Sequence, residues 1–146
     1  MITIKKQEIV KLEDVLHLYQ AVGWTNYTHQ PEMLEQALSH SLVIYVALDG
    51  DAVVGLIRLV GDGFSSVFVQ DLIVLPTYQR QGIGSTLMNQ ALSDYKDIYQ
   101  IQLATDESEK TLAFYRSLGF ETLSTYDCIG MIWVDRKNYN NSFILS

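Results

Sequence analysis

The sequence predicts an α/β fold, in which helices cover both faces of a mixed central sheet of about six or seven strands. Three apolar runs at residues 42–48, 52–60 and 66–75 are separated by glycine-containing turns, as in an antiparallel meander. Beyond them, the order of strand, helix and strand favours a parallel pair joined by a crossover. Because 146 residues suit one hydrophobic core, we expect a single domain over residues 1–146.

The N-terminal part is predicted to hold one strand and two helices. Residues 2–7 alternate apolar and polar side chains, which is typical of a short strand. Residues 13–21 carry apolar side chains at helical spacing, and Gly23 ends that helix. After a polar and aromatic loop at 23–30, Pro31 opens a second helix that reaches about residue 40.

The C-terminal half is predicted to alternate helices with strands. We expect helices at 82–95 and 108–118, and strands at 98–104, 120–126 and 129–135. The last two strands are expected to pair around Asp127 and Cys128, with Cys128 as a small buried residue. The tail at 136–146 is predicted to be a loop.

Composition and charge exclude several classes of protein. Hydrophobic residues make up 48% and charged residues 18%, which argues against disorder. The net charge of −7 disfavours nucleic acid and anionic membranes as partners. Cys128 is the one cysteine, so the chain has no intrachain disulfide, and we expect a cytoplasmic protein.

The strongest candidate for a binding site is the segment 72–84, which reads LIVLPTYQRQGIG. A buried strand leads here into a helix, and the first N–H groups of a helix lack internal partners and carry partial positive charge. Gly82 and Gly84 have no side chains, so an anion can approach the backbone closely, and Arg80 can add a positive charge at the rim. This pattern predicts a phosphate or diphosphate site.

Two common nucleotide motifs do not fit this segment. A mononucleotide P-loop requires Gly followed by Lys, and that pair occurs nowhere in the chain. A dinucleotide fingerprint requires a third glycine where this chain has Leu87. Taken alone, the segment is also compatible with a glycine-rich turn that binds nothing.

The same segment resembles a known family signature. The run from Gln79 to Gly84 matches (Q/R)-x-x-G-x-(G/A) of the GCN5-related N-acetyltransferase (GNAT) superfamily. Residues 114–120, which read FYRSLGF, resemble the (F/L)-Y-x-x-x-G-F pattern of that superfamily. The spacing and the order of elements agree as well, so the resemblance covers nearly the whole chain and implies a GNAT-like acyl-CoA N-acyltransferase fold.

The resemblance implies acetyl-CoA as a cosubstrate. Its diphosphate would bind to backbone amides, and its pantetheine arm would lie along the preceding strand at Ile73 and Val74, where an N–H group polarises the thioester carbonyl. Ser108 occupies a position where many members have an asparagine that contacts the cofactor. The amides implied for the diphosphate belong to Gln79, Arg80, Gln81, Gly82, Ile83, Gly84 and Ser85.

Two residues are implied in the chemistry of acyl transfer. Tyr115 matches the family tyrosine that protonates the leaving thiolate, and a phenol is protonated at neutral pH. Tyr115 could instead be only a core aromatic. Asp71 matches an amine-binding carboxylate or a base that acts through water, and it could equally form a structural ion pair. Gln70 stands where polyamine acetyltransferases carry an acidic residue, so a polyamine acceptor is in doubt.

The acceptor wall is expected in the loop between the first two helices. Trp24, Tyr27 and Gln70 are the candidate substrate-binding residues, because aromatic faces suit an apolar or cationic group. Trp24 and Tyr27 could instead only plug the sheet edge. No metal site is expected, since the histidines lack metal-ligand spacing.

Three functions remain open at this point. The leading one is acetylation of the primary amine of a small molecule in a ternary complex, and a homodimer is possible. The second is acetylation of peptides or proteins. The third is a CoA-binding sensor without catalytic activity.

Overall fold

The computed structural model describes residues 1–133 and residue 135, and the sheet in this part of the chain has five strands. The strands are β1 (Ile2–Gln7), β2 (Val43–Asp49), β3 (Ala52–Gly61), β4 (Ser66–Val74) and β5 (Gln100–Leu103). Their order in the sheet is the order in the chain; the first four are antiparallel, and β4 and β5 are parallel. The predicted meander and the predicted parallel pair are confirmed.

Five helices accompany these strands in the described residues. They are α1 (Leu12–Ala21), α2 (Thr25–Thr28), α3 (Pro31–Ser39), α4 (Ile83–Asp94) and α5 (Glu109–Ser117). Short 3-10 turns lie at Pro76–Tyr78 and Leu123–Tyr126. The helix α2 was not predicted; it is one turn long, and the polar residues around it carry no helical periodicity that a sequence pattern could reveal.

The sheet is covered on both faces. Between one face of the sheet and the helices α1, α2 and α3 lies the larger apolar cluster. Its buried members are Val15, Leu18, Tyr19, Tyr27, Leu34, Leu38, Ile44, Val46, Leu56 and Ile73. The opposite face receives α4, whose apolar positions are Ile83, Leu87, Met88 and Ala91. A crossover helix between parallel strands must pack back onto the sheet, which is why α4 buries this one stripe.

The chain divides into two compact units. The first spans Met1–Leu103 and contains the whole described sheet, and the second begins at Ala104 and contains α5. The prediction of one domain over residues 1–146 stays a prediction. None of the helices in the described part is long and apolar enough to cross a membrane.

The two C-terminal strands were predicted wrongly. Residues 120–133 contain the 3-10 turn Leu123–Tyr126 and no strand, so the described sheet has five strands rather than six or seven. Ile129, Met131 and Trp133 are 83%, 93% and 85% exposed, and Cys128 is exposed as well. Alternating apolar residues suit a strand, but they do not show which strand they pair with. Val134 and the tail at 136–146 lie outside the described residues.

Candidate functional site

The helix α4 begins at a glycine in the left-handed conformation. Gly82 is the N-cap residue with φ 81°, and no side chain caps this end of the helix. The first intrahelical bond runs from the Thr86 N–H to the Gly82 carbonyl at 3.0 Å. The N–H groups of the first turn, on Ile83, Gly84 and Ser85, therefore lack both intrahelical and side-chain acceptors, and they carry the positive end of the helix dipole.

The loop before this helix contains a second left-handed residue. Arg80 has φ 65°, a conformation that costs a residue with a side chain about 1–2 kcal/mol. The left-handed positions at Arg80 and Gly82 lie on both sides of Gln81, and turns with left-handed residues can form anion-binding concavities from successive N–H groups. Arg80, Gln81 and Gly82 are exposed, so this turn is open to solvent.

Side chains on both sides of the loop hold it in place. The Gln79 Nε2 donates to the Val74 carbonyl at 3.0 Å and ties the loop to the end of β4. The Tyr78 hydroxyl donates to Asp49 Oδ2 at 2.6 Å, and this hydrogen bond lowers the pKa of Asp49. The Gln79 side chain therefore positions the loop, and the Gln79 N–H donates to the Pro76 carbonyl at 3.3 Å, so this residue, one of those predicted for the diphosphate, offers no unengaged N–H group to an anion.

The edge of β4 that faces away from β3 is open along its second half. The strand β5 pairs only with Ser66, Val67, Phe68 and Val69, and no described strand lies beside residues 70–74 on that side. The Leu75 N–H donates to the Val54 carbonyl of β3, and the Ile73 carbonyl lies against Gly55 of β3. Because antiparallel hydrogen bonds alternate, Ile73 bonds to β3, whereas Leu72 and Val74 direct their backbone groups to the open edge. Of the two β4 residues predicted to contact the pantetheine arm, Val74 directs its N–H group to this edge while its carbonyl already accepts from Gln79 Nε2, and Ile73 faces β3.

Asp71 lies in the core and is 2% exposed. Its Oδ2 accepts hydrogen bonds from Arg58 Nε at 2.7 Å and from the Tyr19 hydroxyl at 2.8 Å. Its Oδ1 accepts from the Tyr27 hydroxyl at 2.9 Å. Both oxygens are therefore engaged inside the protein, and of the two roles that the sequence left open for Asp71, the geometry favours the structural ion pair over the base.

Burial and charge shift the pKa values of the groups around Asp71. Burial, followed by the charge of Asp71, raises the pKa of Tyr19 and of Tyr27, and the charge of Arg58 opposes both shifts. Burial by itself lowers the pKa of Arg58, but Asp71 outweighs it and the net pKa is raised. Both phenols therefore stay protonated and donate to Asp71 across the physiological range.

The three predicted acceptor-wall residues lie together around this network. Tyr27 is 8% exposed, and its ring centroid lies 6.4 Å from that of the half-buried Trp24. Gln70 is exposed, and its Nε2 lies 3.4 Å from the Tyr27 hydroxyl. The Trp24 and Tyr27 rings also pack edge-on against Tyr19, at 6.1 and 5.1 Å. Gln70 and the rim of Trp24 are accessible to a ligand, and the Tyr27 hydroxyl is not.

The remaining two predicted site residues belong to the second unit. Ser108 is the N-cap of α5, and its Oγ accepts from the Thr111 N–H at 3.2 Å. Tyr115 is half-buried and packs edge-on against Phe114 and Phe120, at 5.0 and 6.0 Å. Burial, followed by the negative charge of Asp106, raises the pKa of Tyr115. Tyr115 thus packs in an aromatic cluster of its unit and keeps its proton at neutral pH.

Arg58 and Tyr19 were not predicted as site residues. A usable signal was present, because Arg58 and Asp71 each interrupt an apolar strand, and a charge in such a run needs a buried partner. No group of three His, Cys, Asp or Glu side chains in residues 1–133 and 135 could hold a metal ion.

Comparison with known proteins gives concordant matches. The model of the acetyltransferase (GNAT) domain family matches residues 40–122. An acetyltransferase of the GNAT family from Streptococcus pneumoniae TIGR4 is 81% identical, with a TM-score of 0.86 over 93% of this chain and 99% of that one. The chloroplastic GCN5-related N-acetyltransferase 1 of Arabidopsis thaliana is 29% identical over 91% of this chain and 66% of its own length.

Coverage and identity differ among the matches. The chain spans 48% and 66% of the lengths of the first two curated relatives that it matches. An aminoglycoside N-acetyltransferase solved in complex with CoA has a TM-score of 0.70 over 93% of this chain and 95% of that one. At 15% identity, that likeness concerns the fold alone.

Proposed function

The chain belongs to the GNAT acetyltransferase family, and from this membership we propose that it transfers the acetyl group of acetyl-CoA to a primary amine of a small molecule. The observation that carries the proposal is the juxtaposition of two backbone sites in the first unit. One is the uncapped start of α4 at Gly82, and the other is the open edge of β4 at Leu72 and Val74. Together they suit a ligand that has a diphosphate at one end and an amide-containing arm at the other.

In the proposed complex, the diphosphate accepts hydrogen bonds from the amides of the loop and of the first helical turn. Arg80 adds a positive charge at the rim. The pantetheine arm pairs with the Leu72 and Val74 backbone as a short additional strand, as extended ligands do at free sheet edges. An N–H group of this edge then polarises the thioester carbonyl and stabilises the oxyanion that forms on it.

The proposed reaction is a direct attack in a ternary complex. The neutral amine attacks the thioester carbon, the C–N bond forms, and the collapse of the tetrahedral intermediate breaks the C–S bond. We assign to Tyr115 the donation of its phenolic proton to the leaving thiolate. The amine loses its proton to water, because both oxygens of Asp71 already accept hydrogen bonds and are buried. Asp71 is therefore proposed as a structural residue of the site rather than as its base.

The proposed acceptor is a small amine that contacts Trp24 and Gln70. The charge of Asp71 is balanced by Arg58 at 2.7 Å, so it is not available to hold a second ammonium group of a polyamine. The aminoglycoside N-acetyltransferase with the same fold is named for a small-molecule acceptor, which is consistent with this class.

Two measurements test the proposal. Calorimetry compares acetyl-CoA with S-acetylpantetheine, which lacks the diphosphate; we expect acetyl-CoA to bind at least about 100-fold more tightly, as expected for several charge-assisted hydrogen bonds. Release of free thiol from acetyl-CoA is then followed with tyramine, spermidine, lysine and a peptide with a free N-terminus. Equal affinity for the two thioesters contradicts the diphosphate site. Transfer only to the peptide favours the protein acetyltransferase, and binding without any transfer favours the sensor.

Two further expectations stay predictions. A homodimer is consistent with the exposed apolar residues Ile129, Met131 and Trp133, which a partner could cover. Light scattering on the full chain measures this directly, and a monomer at micromolar concentration contradicts it. The cytoplasmic location also stays a prediction.

A further inference from the structure

We propose that Arg58 is a positioning residue for the acceptor side of the site: it fixes α2, and with it Trp24 and Tyr27, against the bulged segment of β4. The catalytic part of this inference rests on the proposed function. Arg58 is 4% exposed and belongs to none of the motifs that led to the family.

The first observation is that Arg58 links three elements with three different nitrogen atoms. Its Nε donates to Asp71 of β4 at 2.7 Å, and its Nη2 donates to the Tyr27 hydroxyl of α2 at 3.1 Å. Its Nη1 donates to Ser41 Oγ, just beyond α3, at 3.2 Å. A planar guanidinium can hold several acceptors in fixed relative directions, whereas the single ammonium group of a lysine cannot span them.

The second observation is where this link is placed along the sheet. Arg58 and Asp71 are directly opposite each other on β3 and β4, and the register then shifts so that Leu59 faces Val69. Gln70 is therefore the extra residue of a β-bulge. The bulge lies where the pairing of β4 with β5 has ended at Val69, so the Arg58–Asp71 pair fixes the strand at the start of its open edge.

The third observation is that stability does not explain the pair. The ion pair is buried on the sheet face that also carries Leu56 and Ile73 of the larger apolar cluster, and burying two charges there costs desolvation that their attraction only roughly offsets. Replacing such pairs by neutral groups is often harmless to stability. What the charged pair adds is a defined geometry, because each buried side-chain nitrogen and oxygen in the described residues has a hydrogen-bond partner.

These observations give Arg58 a function that apolar packing could not supply. The helix α2 has only four residues, and a helix of this length is not stable by itself. The Tyr27 hydroxyl is held by Arg58 and Asp71, and the Tyr27 ring in turn packs against Trp24. Loss of the guanidinium therefore leaves Trp24 and Tyr27 less firmly held where they would contact the amine, while the amides at the start of α4 remain unchanged.

Two variants separate positioning from folding. In Arg58→Lys, the charge opposite Asp71 is kept but the links to Tyr27 and Ser41 are lost. In the double variant Arg58→Gln with Asp71→Asn, no buried charge is left unpaired, and the new amide at position 71 can accept from one tyrosine hydroxyl through its oxygen and donate to the other through its nitrogen. Tyr45→Phe serves as the control, because it removes a hydrogen bond to Asp94 that joins the sheet to α4 on the opposite face.

The first readout is the accessibility of Trp24, which needs no substrate. The chain has two tryptophans, so the measurement is made in a Trp133→Phe background, where Trp24 is the one emitter. We expect acrylamide to quench Trp24 more strongly in both Arg58 variants and equally in Tyr45→Phe and the parent. Unchanged quenching in both Arg58 variants overturns the proposal.

The second readout is kinetic, and it uses the panel amine with the highest kcat/KM for the wild-type protein. We expect kcat/KM for the amine to fall about 10- to 100-fold in both Arg58 variants, the size expected for a misplaced reactant. The Kd for acetyl-CoA should stay within about twofold, because the hydrogen bonds of Arg58 go to Asp71, Tyr27 and Ser41 and not to the amides at the start of α4. A folded double variant with wild-type kcat/KM overturns the proposal. A wild-type protein that acetylates no amine overturns the proposed function instead, and the quenching result still decides whether Arg58 positions the wall.

Discussion

The loop 79–85 and the Arg58–Asp71 pair lie in the same unit, and they organise the site in opposite ways. The loop acts through its backbone, which is exposed at Arg80 and Gly82 and presents N–H groups to solvent. The pair belongs to residues that are 4% and 2% exposed, and it acts through side-chain hydrogen bonds to each other and to Tyr19, Tyr27 and Ser41. The first region offers contacts to a ligand, and the second fixes the elements that surround it.

The difference teaches where each region is vulnerable. Changes in the loop should alter binding with little effect on stability, because its residues are exposed. Changes in the pair should alter stability first, because an unpaired buried charge is costly. Substitutions in each region therefore separate effects on binding from effects on stability.

Asp71→Leu is expected to have the largest effect on stability. It leaves Arg58 buried without a counter-charge, and loss of one partner of a buried pair costs about 3–5 kcal/mol. Urea denaturation followed by circular dichroism measures this as a lower midpoint with an unchanged slope. Asp62→Leu is the matched control, since Asp62 is also a carboxylate with several hydrogen bonds, from the backbone N–H groups of Phe64, Ser65 and Ser66, but is exposed. A comparable loss in both variants would show that burial is not what makes Asp71 important.

The same division explains what the sequence could predict. Gly82 is a local signal, and the helix at 82–95 was predicted at its place because a helix start needs only neighbouring residues. The Arg58–Asp71 contact joins residues of different strands, and no local pattern states which partner a buried charge has found. The register of β3 against β4 also depends on a bulge at Gln70, and no glycine or proline marks that position in the sequence.

The C-terminal segment failed for a related reason. Ile129, Met131 and Trp133 have the alternation of a strand, and alternation was the whole basis of the prediction. A strand exists only when another strand pairs with it, and pairing is a non-local property. Residues 120–133 lack it in the described structure, whereas the meander β2–β3–β4 formed because its partners are joined by tight turns.

Gly82→Val is expected to have the largest effect on binding. The left-handed N-cap disfavours a branched residue, and its side chain would occupy the open space where the diphosphate is proposed to bind. We expect the Kd for acetyl-CoA to rise at least about 100-fold, or about 2.7 kcal/mol. Gly50→Val is the matched control, because Gly50 also has a positive φ, of 62°, with no neighbour within 4 Å of an added Cβ. Calorimetry on both folded variants decides, and equal affinities would place the diphosphate elsewhere.

Tyr115→Phe tests whether the second unit contributes chemistry as well as packing. The variant keeps the ring contacts with Phe114 and Phe120 and removes the proton donor, so we expect kcat to fall about 10- to 100-fold, as for loss of a general acid. The Kd for acetyl-CoA should change little. Phe114→Leu, which changes packing but no proton donor, is the control.

The pH dependence gives this prediction a second test. Burial raises the pKa of Tyr115 above 10.0, and the donor is active only while it is protonated. In the wild-type protein, kcat should therefore stay constant at pH values near the usual pKa of tyrosine. It should fall only at higher pH, where the raised pKa of Tyr115 is passed. This alkaline decrease should be absent from Tyr115→Phe. An alkaline decrease of the same size in both proteins would assign it to another group.

Arg80→Gly is expected to have the smallest effect, and it separates the two properties that meet in the loop. Glycine adopts φ 65° without strain, so the variant is relieved of about 1 kcal/mol of backbone strain. The greater conformational freedom of glycine in the unfolded chain partly offsets this gain. The free energy of unfolding should therefore rise slightly or stay the same. Loss of the exposed charge should weaken acetyl-CoA binding about two- to fivefold at low salt, as expected for one surface charge. Arg80→Ala loses the same charge but keeps the strain, so both variants should bind equally while the alanine variant is the less stable. Unchanged affinity at low salt in both would leave the backbone amides as the sole contribution of this loop to binding.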